Sequence, residues 1–366
     1  MLLINDLQRH SVPLREKLDR AIARVMDSGW YVIGSEVEKF ESEFADYCGV
    51  GYCSGVGNGT DALEISLRAV GVVSGDKVIT VANAGMYSTV AINLVGAEPV
   101  YVDVDDVTMN VDLSCLKESL NSGIKAIIIT HLYGRMVDVL KVKELADQFG
   151  VSVIEDCAQS HGAVLAERRA GSVGDIGCFS FYPTKNLGAL GDGGAIITKN
   201  TELGGRVAAL RQYGWEKKYM AAVSLGVNSR LDELQAAVLR EKLPYLDEWN
   251  ERRRRIARIY SERLGAARGI QVDAIDSSYV AHLYVIRVKN RAGLQAALAA
   301  NDIASDVHFP LPDYRQPCML DKCTGVKLDV TELCSQEVMT LPCFPELTDG
   351  EVNRVIDTIL MFLDKE

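Results

Sequence analysis

The stretch Phe179–Gly188 reads FSFYPTKNLG and places a lysine, Lys185, between an aromatic run and a glycine. An aspartate, Asp156, lies 29 residues upstream, just after the apolar run 151–154. A lysine amine can form a Schiff base, and a carboxylate at a strand end can hold a protonated ring nitrogen. Pyridoxal phosphate chemistry requires these two protein groups, so the pair predicts a site for that cofactor. Glycines that would let a bulky group approach the backbone follow at positions 188, 191, 193 and 194.

Upstream of this pair, apolar stretches typical of strands alternate with helical periodicity. Strands are predicted over 77–81, 99–104, 126–130 and 151–156, and helices over 60–70, 88–95, 113–120 and 137–149. Strands that are apolar throughout and separated by helices indicate a mostly parallel sheet with both faces covered. Beyond about residue 250 a long helix is followed by a strand at 282–288 and helices at 294–301 and 352–363. We therefore predict an α/β protein with a large domain, 1–250, and a smaller C-terminal α+β domain, 251–366.

Composition excludes several classes of protein. The chain has 366 residues, of which 48% are hydrophobic and 24% charged, enough for two domains with substantial cores. Its net charge of −11 repels nucleic acid over most of the surface. The apolar runs are far shorter than the roughly 20 residues of a membrane span, and the first residues lack a signal-peptide pattern. The expected protein is a cytoplasmic enzyme without nucleic-acid or membrane partners.

Cysteine usage indicates neither disulfides nor a metal. The nine cysteines are an odd number in mostly apolar surroundings, which is typical of reduced thiols in the cytosol. The last four, Cys318, Cys323, Cys334 and Cys343, contain no C-x-x-C pair of the kind that zinc sites use. We therefore predict no metal site.

A second glycine-rich segment, Gly55–Thr60, reads GVGNGT and precedes a predicted helix. Free backbone N–H groups at a helix N-terminus, together with the Thr60 hydroxyl, can hold a phosphate. The segment resembles a dinucleotide fingerprint, but its spacing differs and no acidic residue follows at the expected distance. Two alternatives stay open: a dinucleotide-dependent oxidoreductase, and a structural role in which Thr60 caps the helix.

The segment Glu155–Gly162 reads EDCAQSHG and places Asp156 where parallel strands end, the edge at which open α/β sheets bind ligands. A pyridinium N–H would keep a buried carboxylate ionised there. Asp156 could instead cap a following helix. Gln159 can face the cofactor ring, whereas His161 fits a structural role as well as a catalytic one.

Several motifs in one order resemble the sugar aminotransferases of the DegT/DnrJ/EryC1/StrS group. These motifs are NGTDAL from Asn58, EDCAQSHG from Glu155, SFYPTKNLG from Ser180, GVNSRLDELQ from Gly226 and LPCFP from Leu341. The resemblance implies the aspartate aminotransferase-like fold of type I pyridoxal phosphate enzymes. It also implies pyridoxal 5'-phosphate as the cofactor, carried as pyridoxamine 5'-phosphate during turnover.

The same resemblance assigns roles to individual residues. It implies that Lys185 bonds the cofactor, that Asp156 meets its pyridine nitrogen and that Gln159 lies by its ring. It further implies a homodimer with shared active sites. The phosphate would be held by Gly59, Thr60 and Ser180 of one subunit and by Asn228 of the other.

Two segments depart from the family pattern. Where many members have an aromatic residue that stacks on the cofactor, this chain has Gly85, so Tyr87 becomes the candidate for stacking. In the segment 308–314, Phe309 and Tyr314 stand where tyrosine and histidine are common. We expect that loop to contact substrate. The candidate substrate-binding residues are Tyr31, His161, Tyr182, His308 and Tyr314.

The resemblance implies transfer of an amino group, by the family's habit from L-glutamate, to a nucleotide-linked keto sugar. The segment 182–192, YPTKNLGALGD, most resembles the subgroup that aminates C3 of dTDP-3-keto-6-deoxyhexoses. The expected product is a deoxyamino sugar for a lipopolysaccharide or other glycan. Amination at C4 of a dTDP- or UDP-4-keto-6-deoxyhexose and a non-catalytic regulatory homologue remain alternatives. Lys185 argues against a dehydrase, in which the lysine would be replaced.

Overall fold

The structure is a computed structural model that describes residues 1–265, 270–271 and 274–365. Its helices, α1 to α13, span Leu7–Ser11, Arg15–Ser28, Ser35–Cys48, Gly59–Ala69, Tyr87–Leu94, Leu113–Ser119, Val139–Asp147, Thr201–Leu210, Glu233–Lys242, Leu246–Leu264, Arg291–Ala300, Asp329–Glu337 and Asp349–Leu363. Its strands, β1 to β14, span Tyr52–Val56, Lys77–Val81, Glu98–Val102, Ile124–Thr130, Ser152–Asp156, Val164–Leu165, Arg168–Arg169, Ile176–Ser180, Gly194–Thr198, Trp215–Lys217, Met220–Ala221, Ile270–Gln271, Tyr284–Val288 and Val338–Leu341.

A seven-stranded sheet forms the centre of the protein, in the order β1-β9-β8-β5-β4-β2-β3. The neighbours from β3 through β8 are parallel, and β9 runs antiparallel to both β8 and β1. The strands are parallel because each is followed by a segment that returns over a face of the sheet, mostly as a helix. The predicted α/β class with a mostly parallel sheet is confirmed.

Strand β4 shows why the central strands read as unbroken apolar runs. Ile127 and Ile129 pack into one buried cluster, while Ile128 between them packs into another. Successive side chains of a strand point to opposite faces, so each face of the sheet has its own core. A strand with apolar residues at every position is stable only where helices cover both faces.

The C-terminal part contains the antiparallel sheet β12-β13-β14 and helices α11 to α13. The boundary predicted at residue 250 lies inside α10, which is continuous from Leu246 to Leu264, and the division into domains stays a prediction. The N-terminal residues belong spatially to the C-terminal part. The Leu2 N–H donates to the Asp302 carbonyl at 2.7 Å, and the Ala304 N–H donates to the Leu2 carbonyl at 2.8 Å.

Within the described ranges, none of the helices has both the length and the apolar composition that crossing a bilayer demands.

Candidate active site

Three strand ends meet at one edge of the large sheet and define the site. Strand β4 ends at Thr130, β5 at Asp156 and β8 at Ser180. These strands are parallel neighbours, so their carboxyl ends lie side by side. Side chains that are 50 residues apart in sequence are thereby brought together at the edge where such sheets bind ligands.

Asp156 is 5% exposed, and its carboxylate is held on both oxygens. Its Oδ1 accepts from the Ala158 N–H at 3.1 Å, and its Oδ2 accepts from the Thr130 hydroxyl at 3.4 Å. Burial raises the pKa of Asp156, while the Ala158 N–H and the charge on Lys185 oppose that rise. The alternative in which Asp156 caps a helix is wrong, because residues 157–175 form turns and two short strands and contain no helix.

Lys185 closes a turn in which its N–H donates to the Tyr182 carbonyl at 2.8 Å. Burial lowers the pKa of its ammonium to about 8, and the Asp156 carboxylate raises it in opposition. An ordinary lysine, with a pKa near 10.4, is almost wholly protonated at neutral pH and cannot act as a nucleophile. The site therefore makes a neutral amine available close to physiological pH.

A buried polar network fixes the backbone beside Lys185. The Asn186 side chain donates to the Asn250 side-chain oxygen at 2.8 Å and to the Val280 carbonyl at 3.1 Å. Its own oxygen lies 3.1 Å from Nδ1 of His282. Two residues further on, the Lys242 ammonium donates to the Gly188 carbonyl at 2.6 Å. Sequence reasoning missed this network, although a polar residue directly after the lysine was a visible signal.

The N-terminus of α4 faces Ser180. A Cβ atom added at Gly59 would lie 2.7 Å from Cβ of Ser180, so only glycine fits between them. The helix is capped by Asn58, whose side-chain oxygen accepts from the Asp61 N–H at 2.8 Å. The alternative in which Thr60 is the cap is therefore wrong. Thr60 lies in the first turn, where backbone N–H groups point out of the helix and suit an anion.

Gln159 is held in place from the neighbouring loop. Its side-chain oxygen accepts from the Tyr133 N–H at 2.6 Å. The Tyr133 hydroxyl in turn donates to the carbonyl of His308, which belongs to the C-terminal part. Burial lowers the pKa of His308, and the positive charge of Lys185 adds to that effect against Asp306. The Tyr133 hydroxyl therefore connects the loop after Val307 to the residues at the edge of the large sheet.

A carboxylate behind the site supports the strand end. Glu155 accepts from the N–H groups of Gly171, Val173 and Gly174 and from Nε2 of His131 at 2.9 Å. Burial alone would raise the pKa of Glu155, but these donors hold it below its usual value. Because Nδ1 of His131 already accepts from the Val137 N–H, this cluster with Cys157 is occupied by hydrogen bonds and does not resemble a metal site.

Four predicted residues are accessible from solvent. Tyr31, Tyr87 and Tyr182 are each about half exposed, at 52%, 50% and 53%. Asn228 is also exposed, whereas its neighbour Ser229 is buried and accepts from the Gly57 N–H at 2.8 Å in the same chain. These four side chains are placed where a substrate or a second subunit could reach them.

Two predicted substrate contacts do not fit the structure. His161 is 0% exposed against the rings of Phe179 and Phe181, and burial lowers its pKa to about 3. Tyr314 is 1% exposed, and its hydroxyl donates to Glu332 at 2.9 Å. Both side chains are interior packing residues in the single chain, so neither offers a substrate an exposed surface there.

Comparison with known proteins gives consistent results across the chain. A model of the DegT/DnrJ/EryC1/StrS aminotransferase family matches residues 13–360. Among curated proteins, a dTDP-3-amino-3,6-dideoxy-α-D-galactopyranose transaminase from Aneurinibacillus thermoaerophilus is 43% identical over 361 residues. That match covers 98% of this chain and 99% of the relative.

Solved structures show the same likeness. DesV from S. venezuelae, crystallised in complex with a ketimine intermediate, superposes with a TM-score of 0.96 at 39% identity, over 99% of this chain and 98% of its own. NtdA from Bacillus subtilis, with bound cofactor PMP, gives a TM-score of 0.93 at 30% identity, over 98% of this chain and 84% of its own.

Proposed function

The chain belongs to the DegT/DnrJ/EryC1/StrS aminotransferase family, and on that basis we propose that it aminates C3 of a dTDP-linked 3-keto-6-deoxyhexose. The proposed donor is L-glutamate. One observation carries the proposal: Lys185 and Asp156 converge at one sheet edge in a chain 43% identical to a transaminase named for a 3-amino sugar.

The residues present fit pyridoxal 5'-phosphate. Asp156 offers a buried carboxylate for a pyridine N–H, and Lys185 offers an amine that is neutral near pH 8. Gly59 packs on Ser180 so closely that a Cβ atom would overlap it, which brings Ser180 beside the N–H groups of the first turn of α4, where a phosphate could bind. When bound there, the cofactor would supply an electron sink for the carbon atom that loses a proton.

The chain's own residues have three tasks in this reaction. Lys185 takes the proton from the donor substrate and returns it, which its lowered pKa permits near neutral pH. Asp156 would hold a positive ring nitrogen in place, and a carboxylate without that partner would be costly to bury. The hydrogen bonds of Asn186 keep the Lys185 backbone at a fixed position. This matters for the rate, because misplacing a reacting group by about 1 Å can cost about 100-fold.

The alternatives are less well supported. Amination at C4 lacks the support that the name of the 43% identical relative gives to C3. A dinucleotide-dependent oxidoreductase does not agree with the family, and Gly59 packs directly on Ser180, next to the lysine turn. A non-catalytic homologue would not need a lysine whose pKa is lowered to about 8 beside a buried aspartate.

We further propose a homodimer with shared sites. Large apolar side chains are exposed on two segments of one subunit and would be covered by a second copy: Trp30, Tyr31, Val32, Tyr213, Tyr219, Met220 and Leu225. The exposed Asn228 follows the second of these segments. In a symmetric pair, Asn228 of the partner subunit would then contribute to the phosphate end of the site.

The test is isotope transfer from a labelled donor. The protein loaded with pyridoxal 5'-phosphate is given ¹⁵N-glutamate and, separately, dTDP-linked 3-keto and 4-keto 6-deoxyhexoses. We expect ¹⁵N at C3 of the 3-keto sugar, located by mass spectrometry and NMR, and none with Lys185→Ala. Transfer to C4 alone would select the alternative position, and no transfer to any keto sugar would contradict the proposed function.

A further inference from the structure

The two segments that depart from the family pattern lie against each other in the structure. The turn after β2 contains Gly85 and leads into α5, and the other segment is the loop around Asp313. The Asp313 N–H donates to the Ala82 carbonyl at 2.8 Å. The Asp313 carboxylate accepts from the Met86 N–H at 3.0 Å and from the Thr89 hydroxyl at 2.6 Å. Asp313 thus joins the C-terminal part to the start of α5.

These contacts cap the N-terminus of α5. Met86, the residue before α5, makes no side-chain capping bond of its own and has a φ of 71°, in the left-handed region. Asp313, more than 220 residues away in sequence, supplies the missing carboxylate. A side-chain acceptor at a helix N-terminus satisfies backbone N–H groups that have no partner within the helix. Tyr87 is the first residue of α5, so this arrangement fixes the position of its backbone.

The ring of Phe309, from the same loop as Asp313, fills the space in front of Gly85. A Cβ atom at Gly85 would lie 2.8 Å from the ring of Phe309. The Phe309 and Tyr87 rings meet edge to face, with their centroids 6.3 Å apart and their planes at 76°. Phe309 directly follows His308, whose carbonyl accepts from the Tyr133 hydroxyl, and the Tyr133 N–H donates to Gln159. The aromatic pair therefore borders the site.

We propose that Asp313 is a positioning residue that holds Tyr87 against Phe309, so that Tyr87 forms an aromatic wall of the cofactor pocket in place of an aromatic side chain at residue 85. The inference rests on the proposed function, because the planar ring that the wall would face is that of pyridoxal phosphate. Aromatic pairs prefer offset or edge-to-face contact, and the capped α5 keeps Tyr87 in one orientation for it. Asp313 itself does not touch the cofactor.

The test measures the dissociation constant of the apoenzyme for pyridoxal 5'-phosphate by fluorescence titration. Tyr87→Ala should weaken binding about 3- to 10-fold, which corresponds to the loss of one aromatic contact. Asp313→Leu keeps the size of the side chain but removes both acceptors, so it should weaken binding by a similar factor. Asp313→Asn can still bond Met86 and Thr89 and should bind within twofold of wild type. Asp321→Leu, an exposed aspartate of the same region, is the matched control and should bind as wild type.

The decisive variant is Asp313→Leu combined with Tyr87→Ala. Because Asp313 acts through Tyr87, the double variant should bind no more weakly than Tyr87→Ala alone. Losses that multiply, or Asp313→Leu with wild-type affinity, would overturn the inference. If wild-type apoenzyme itself fails to bind pyridoxal phosphate, it is the proposed function that fails. Should Asp313→Leu not fold, Thr89→Val replaces it, with a smaller loss expected that also vanishes in the Tyr87→Ala background.

Discussion

Burial lowers the pKa of Lys185 to about 8 and raises the pKa of Asp156, and each group's charge opposes the effect of burial on the other. The two side chains therefore lie within electrostatic reach across the site. Such opposed shifts are typical of active sites, where an amine must be neutral and a carboxylate charged at the same pH.

The first prediction concerns the pH at which Lys185 reacts. The rate at which apoenzyme combines with pyridoxal phosphate should rise with pH around about 8, since only the neutral amine is a nucleophile. In Asp156→Asn the carboxylate that raises the pKa of Lys185 is absent, so the rise should move to lower pH. Stopped-flow absorbance over pH 6 to 10.5 measures both profiles. A wild-type rise centred at the ordinary lysine value, near 10.4, would contradict the prediction.

The second prediction concerns the glycine at the phosphate end. Gly59→Ala should raise the dissociation constant for pyridoxal phosphate about tenfold or more, equivalent to ~1.4 kcal/mol, because its Cβ would overlap Ser180. Gly205→Ala is the matched control. Gly205 lies exposed in α8 with nothing within 4 Å of an added Cβ, so that variant should bind as wild type. Equal affinities for the two variants would show that the close packing of Gly59 on Ser180 does not shape the phosphate site.

The third prediction concerns the support of the lysine. Asn186→Ala removes the Asn186 hydrogen bond from three buried groups, namely Nδ1 of His282, the side-chain oxygen of Asn250 and the Val280 carbonyl. We expect the protein to lose roughly 3 kcal/mol of stability and kcat to fall more than KM changes, because Lys185 loses its anchor. Asn121→Ala, at an exposed turn, should change neither. Unchanged kcat in a folded Asn186→Ala protein would show that the network is not needed for catalysis.

The fourth prediction concerns Asp313, whose pKa burial raises to about 6. Its folded-state pKa exceeds the unfolded value of about 3.9, so its contribution to stability is complete below pH 4 and is lost as pH rises through 6. Relative to Asp313→Asn, which does not titrate, wild type should lose about 2 kcal/mol between pH 4 and pH 8. Its neighbours Tyr101 and Cys323 stay neutral in this window, since burial raises the pKa of both. Melting temperatures of the two proteins against pH provide the measurement, and parallel curves would contradict it.

The sheet was predictable where its strands carry a local signal. Strand β2 has the predicted bounds, 77–81, because its short run of mostly β-branched residues, VITV after Lys77, favours a buried strand by itself. Strands β1, β8 and β9 are not predicted. Strand β1 pairs with β9 through residues more than 100 positions apart, as in Tyr52 with Thr198, and it includes Ser54 and Gly55, which weaken its periodicity. Strands β8 and β9 pair with each other over a shorter separation, as in Gly177 with Ile197, but each contains a glycine that weakens the strand signal.

The motifs predicted which residues belong to the site, but they did not predict how deeply each side chain is buried. The Lys185 and Asp156 segments carry chemistry that sequence spacing makes visible. The burial of His161 and Tyr314 results from packing against Phe179, Phe181 and the Glu332 side chain, which no local pattern encodes. Likewise, Asp313 caps α5 from more than 220 residues away in sequence, and no local pattern predicts such a contact.

The identity of the lysine that bonds the cofactor is the most direct test of the account. Borohydride reduction of the protein loaded with pyridoxal phosphate, followed by peptide mapping, fixes the cofactor to whichever lysine holds it. A second buried lysine, Lys242, also has its pKa lowered to about 8 by burial and serves as an internal competitor. We predict that the label lies on Lys185 alone and is absent from Lys185→Ala. A label on Lys242 or any other lysine, or no label on Lys185, would contradict the account.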